Sequence, residues 1–123
     1  MPSTDLKTQV VCCCEKQNVA TAVDIMGVSR QRRSVVLIEL KYCSHSVKNL
    51  SRVYKAADPS CPRLRYIDAR NCMHNHHQLQ LRETIRLFRL THGKAYPRVE
   101  GGVLVICADG GVVFNATRAR LLA

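Results

Sequence analysis

Three residues of this chain have the types and the spacing for metal-assisted hydrolysis: Asp24, Glu39 and Lys41. Asp24 closes an apolar stretch, and Glu39-Leu40-Lys41 follows directly on Val35-Val36-Leu37-Ile38. Side chains alternate along a strand, so Glu39 and Lys41 share one face and Leu40 points to the other. An acid and a base at the end of a buried strand are costly unless solvated, paired or bound to metal. With Asp24 on a neighbouring strand, the two carboxylates converge. Two hard oxygen donors with positions left for water and phosphate suit Mg²⁺ or Mn²⁺. A Lys beside them can activate water or stabilise charge on a phosphate. The chemistry implied is hydrolysis of a phosphodiester. The plainer reading is that Glu39 and Lys41 mark where a buried strand reaches solvent, since Glu-x-Lys is common by chance.

The elements that must position these residues follow from periodicity. The stretch 35–42, which opens on four consecutive apolar residues, reads as a strand near the middle of a sheet, covered on both faces. Residues 18–26 suit a partner strand ending near Gly27, and a polar, basic turn at 29–33 makes the two a β-hairpin. Upstream, Leu6, Val10, Cys13 and Cys14 fall at helical spacing, which predicts a helix over 4–15. An amphipathic helix is expected over 46–57, capped by Ser44 or Ser46 and ended by Pro59. Alternating charge and bulk predict a third, exposed strand over 63–69. A strong helix begins at Asn71 or Asn75 and runs to His92, with Gly93 as its stop and Leu81, Ile85 and Phe88 as its core stripe. Strands at 103–107 and 112–114 flank Asp109-Gly110-Gly111, a hairpin signal, and Asn115 caps a short terminal helix. The order is that of an α/β chain with one central mixed sheet flanked by helices.

At 123 residues the chain has room for one core. Nineteen Lys and Arg against nine Asp and Glu give a net charge of +10, which favours a polyanionic partner. Nucleic acid is the expected one, ahead of an acidic membrane surface, and charge does not tell DNA from RNA. No apolar run approaches the length of a membrane span, and no charged-then-apolar secretory signal opens the chain. The seven cysteines, three of them consecutive at Cys12 to Cys14, therefore read as thiols of a reducing intracellular compartment, cytoplasm or nucleus. A homo-oligomer and a place within a larger protein are both open to this chain.

Several residues carry second readings. Arg30, Arg32 and Arg33 in the hairpin turn, and Lys48 on the following helix, are candidates for holding phosphates without reading sequence; a solvated surface is the alternative. Cys61, Cys72, His74, His76 and His77 are of the right types for zinc, but the spacing lacks the paired Cys-x-x-Cys of a strong match.

The pattern Asp24, a hairpin-length gap, then Ile38-Glu39-Leu40-Lys41 resembles the PD-(D/E)xK nuclease superfamily. His77-Gln78-Leu79-Gln80-Leu81, opening the long helix, is similar to a segment of its RecB-like and related exonuclease branches. Val23 stands where the motif has Pro, and Thr84 where RecB-like members often have Tyr. The resemblance implies a restriction-endonuclease-like core over 1–123, with 44–70 as an insertion. It implies Asp24 and Glu39 as metal ligands, with the Leu40 carbonyl as a third donor, and Lys41 as the catalytic lysine. Gln80 is implied as an accessory catalytic residue; His77, on the same side of the helix by its spacing, is a candidate contact to the nucleic acid. The expected activity is a Mg²⁺- or Mn²⁺-dependent deoxyribonuclease, endo- or exonucleolytic. The alternative is a non-catalytic basic nucleic-acid-binding domain, stabilised by zinc through the Cys and His residues.

Overall fold

A β-meander of three antiparallel strands begins the fold. The computed structural model describes residues 5–65 and 68–116. Within them β1 (Asp5–Cys14), β2 (Val19–Ser29) and β3 (Ser34–Tyr42) are followed by α1 (Val47–Val53) and α2 (Met73–His92). β4 (Arg98–Cys107) and β5 (Gly110–Asn115) complete the chain. The sheet order is β1-β2-β3-β4-β5. β4 lies parallel to β3, and the other neighbours are antiparallel. Parallel neighbours need a long crossover, and α1 and α2 supply it between β3 and β4. The protein is thus α/β, with a five-stranded mixed sheet and two helices.

The first segment is a strand, not the helix expected over 4–15. Val and Cys suit either structure, and here the long pairing with β2 decides. The expected helix over 46–57 is shorter, since α1 ends at Val53; Ser46 is its N-cap, accepting from the Asn49 amide. The expected strand over 63–69 reduces to one bridge, Arg63 with Arg70. The expected terminal helix after Asn115 lies outside the described residues. α2 stops at Gly93 as expected, but with φ −63°. Glycine is required there because a Cβ would meet the Arg89 carbonyl oxygen at 2.4 Å.

β3 is the central strand, and among the described residues helices cover one of its faces. Val35, Leu37 and Glu39 are buried, and so are Val103, Val105 and Cys107 on β4. These residues face α2, whose Leu81, Ile85 and Phe88 complete the core, and α1 covers the β5 end of the same face. On the opposite face Val36 is 39% exposed and Tyr42 77%. Among the described residues, no helix is long and apolar enough to cross a membrane.

α2 is fixed at both ends. Gln78 Nε2 donates to the Asn115 carbonyl on β5, and Thr91 Oγ1 donates to the Cys13 carbonyl on β1. Gly101 on β4 permits the close approach between them. A Cβ there would lie 2.8 Å from Ile85 Cδ1 and 3.0 Å from Leu81 Cδ1. A Cβ would force these two buried side chains to shift, so Gly101→Ala is expected to crowd the core, costing about 1–3 kcal/mol. Urea unfolding would show this as a lowered midpoint with an unchanged slope.

Candidate active site

The site forms where β2 and β3 separate. Their ladder runs from Ser29↔Ser34 to Ile25↔Ile38 and stops there. On the other side of β2, the ladder to β1 keeps its register but omits the pair between Gln9 and Asp24. Gln9 has φ +53°, a conformation non-glycine residues seldom adopt. The buried face also changes parity at this point, with Cys12 and Val23 buried on one side and Met26 and Val28 on the other. Asp24 therefore sits at a local break in the sheet and is not held in a regular ladder.

That break frees its carboxylate to act as a ladder acceptor. Asp24 Oδ2 accepts the Leu40 amide at 2.9 Å, and Oδ1 accepts from Gln9 Nε2 at 3.2 Å. A side-chain oxygen thus satisfies the β3 amide just past the end of the β2 ladder. The same contact draws Asp24 to Glu39, and the two carboxyl groups come within hydrogen-bonding reach.

Glu39 is 3% exposed. Its Oε1 accepts from Thr84 Oγ1 on α2 at 3.3 Å, and the same hydroxyl lies 2.9 Å from the Gln80 carbonyl. Burial raises the Glu39 pKa above the ordinary carboxylate value. The charge of Asp24 and a shared hydrogen bond raise it further, while Lys41 and Thr84 pull it partly back. Two carboxyls crowded in a poorly solvated place favour retention of a proton or the approach of a cation. Lys41 Nζ, on the same face of β3, donates to Gln80 Oε1 at 2.7 Å. Asp24, Glu39, Lys41 and Gln80, far apart in the chain, are therefore one group.

The raised pKa sets the pH dependence. The folded protein holds the Glu39 proton more tightly than the unfolded chain does. This contribution to stability is complete below the unfolded-state pKa and is lost as pH rises through the folded-state value. Without divalent cations, the wild type is expected to lose stability relative to Glu39→Gln from about pH 4.3, the ordinary glutamate pKa, upward. Chemical denaturation of both proteins across that range checks the sign.

Two further residues complete the surroundings. His77, one turn before Gln80 on α2, has its Nδ1 2.7 Å from the Tyr54 hydroxyl at the end of α1. Burial, the Lys41 charge, and then His76 and His74 lower its pKa to about 4. Cys12, fully buried on β1, lies within reach of the Glu39 charge; burial first, then Cys13 and Glu39, raise its thiol pKa.

The structure does not bring the hairpin arginines to this group. Arg33 donates to the Lys94 and Ala95 carbonyls beyond the end of α2, and Arg30 pairs with Asp5. Five strand residues separate Asp24 from the end of β2, about 17 Å along the strand. Arg32 is exposed in that turn, and Lys48 is exposed on α1. The candidate zinc residues also turn to other partners. His76 bonds Asn71, His74 bonds Asn75 and His77 bonds Tyr54. Among the described residues, no three His, Cys, Asp or Glu side chains group as a metal-ligand set, so Asp24 and Glu39 form a pair of carboxylates only.

Sequence reasoning reached Asp24, Glu39, Lys41 and Gln80 but missed Gln9 and Tyr54. It also took Thr84 for a substitution, whereas its hydroxyl bonds Glu39. Gln9 carries no sequence signal, because its role depends on a backbone break.

Comparison with protein-family models, with curated proteins and with solved structures gave no match.

Proposed function

We propose that this chain is a nuclease domain of the PD-(D/E)xK type that hydrolyses DNA phosphodiester bonds with a divalent cation. The reading rests above all on the meeting of Asp24, Glu39, Lys41 and Gln80 at the point where β2 and β3 part. Support also comes from the element order: a three-stranded meander, a helical crossover and a parallel fourth strand agree with a restriction-endonuclease-like core.

The donor set fits Mg²⁺ or Mn²⁺. Asp24 and Glu39 offer hard carboxylate oxygens whose mutual repulsion a cation would relieve, with the Leu40 carbonyl as the third donor. A cation bound there would polarise a phosphoryl oxygen and lower the pKa of bound water. Lys41, oriented by Gln80, would supply a positive charge beside the attacked phosphate and stabilise the charge that develops there. Thr84 holds the Glu39 carboxylate against α2. The net charge of +10 favours accumulation of a polyanion.

Labelled double- and single-stranded DNA, incubated with the purified protein in Mg²⁺ or in EDTA, tests the reading. Cleavage in Mg²⁺ and none in EDTA is expected. Binding without cleavage under both conditions would overturn hydrolysis and favour the non-catalytic alternative.

A further inference from the structure

Tyr54 and His77 come from elements far apart in the chain and make a contact that the proposed chemistry leaves unused. Tyr54, just past α1, is 2% exposed. It meets the first turns of α2 twice: its carbonyl accepts the His74 amide at 3.0 Å, and its hydroxyl lies 2.7 Å from His77 Nδ1. Its ring packs on Phe114, centroid to centroid 4.5 Å, and edge-on against His74. The hydroxyl therefore has little freedom to turn elsewhere.

The direction of this hydrogen bond follows from satisfaction. A buried Tyr hydroxyl carries one hydrogen and needs an acceptor for it. Among the described residues, the His77 ring nitrogen is the hydrogen-bond partner of that hydroxyl. If Nδ1 carried a proton, both groups would present hydrogens and the hydroxyl hydrogen would be stranded. With Nδ1 as acceptor, the neutral ring bears its proton on Nε2. The ring is neutral at pH 7, since burial first and then the Lys41 charge lower its pKa to about 4, and the Tyr54 hydroxyl is itself pushed up to about 12.

We propose that Tyr54 is a positioning residue: it fixes His77 in the Nε2–H form, so that the ring presents one neutral donor to a phosphate oxygen of nucleic acid held beside Lys41 and Gln80. His77 and Gln80 are three residues apart on α2 and share a face. Lys41 then contributes charge and His77 contributes direction. The phosphate role rests on the nucleic-acid reading above, whereas the tautomer can be read without any substrate.

The test joins three measurements on the full chain. Long-range ¹H–¹⁵N spectra of ¹⁵N-histidine-labelled protein at pH 7 should show His77 protonated on Nε2, and Tyr54→Phe should shift it toward a tautomer mixture. The Phe ring keeps the packing on Phe114 and removes the hydroxyl alone. In EDTA, Tyr54→Phe should raise the Kd for labelled duplex DNA by about 3- to 10-fold, the scale of one net hydrogen bond. His77→Gln places an amide donor near the Nε2 position that needs no tyrosine. In that background, Tyr54→Phe should change Kd little, because the two residues act as one unit. A proton on Nδ1 in the wild type overturns the proposal. So does an equal effect of Tyr54→Phe in both backgrounds, or a wild type that does not bind DNA. Cleavage in Mg²⁺ is scored separately. If it is absent while the tautomer and the cycle come out as expected, hydrolysis fails and the part of Tyr54 in phosphate binding stands.

Discussion

Glu39→Gln is expected to lose Mg²⁺-dependent DNA cleavage by about 10³-fold or more while still folding and binding DNA. Metal-assisted charge stabilisation is worth several kcal/mol, and each 1.4 kcal/mol is about tenfold in rate. Gln has nearly the shape of Glu and still accepts from Thr84 Oγ1. What it removes is a negative charge held 3% exposed beside Asp24. Removal of an unfavourable buried charge should stabilise the cation-free protein at neutral pH, so activity and stability move in opposite directions. Stability gained by adding Mg²⁺, which follows from binding to the folded state alone, should be present in the wild type and absent in the variant. Steady-state cleavage and thermal unfolding of the two proteins, each with Mg²⁺ and with EDTA, read both effects. A variant that cleaves as well as the wild type removes Glu39 from the site.

Lys41→Met should lower the cleavage rate by about 10²- to 10³-fold, the range for loss of one positioned charge-stabilising donor. Metal binding should be retained. Met keeps the aliphatic stem and removes the charge and the 2.7 Å bond to Gln80 Oε1. Lys41 lowers the pKa of both Glu39 and His77, so its loss should let both rise. The upward shift of His77 can be followed by NMR titration. That readout separates an electrostatic role beside the site from a merely structural one. Loss of folding or of metal binding in Lys41→Met would instead show that the residue holds the site together.

The parts of the fold legible in the sequence were those with unambiguous local signals. The aliphatic run before Glu39, the Asp109-Gly110-Gly111 turn and the stripe Leu81, Ile85 and Phe88 each allow one structure, and each is found. β1 was misread because Val10, Cys13 and Cys14 fit a helical stripe as well as a strand, and the choice is made by nine residue pairings with β2. Site residues borne on regular elements, such as Lys41 and Gln80, could be placed by alternation and helical spacing. Gln9, at a positive φ beside a break in the ladder, could not. Nor could Tyr54, whose contact with His77 depends on how a 19-residue connection from α1 to α2 (54–72) folds back.

The assignment of Asp24 and Glu39 as a shared cation site is most directly tested by titrating Mn²⁺ into the cation-free protein and following the signal of free Mn²⁺ by electron paramagnetic resonance. One Mn²⁺ per chain is expected for the wild type and for Lys41→Met, with binding abolished or severely weakened in Asp24→Asn and Glu39→Gln. Equal binding in all four proteins, or none in the wild type, would contradict it.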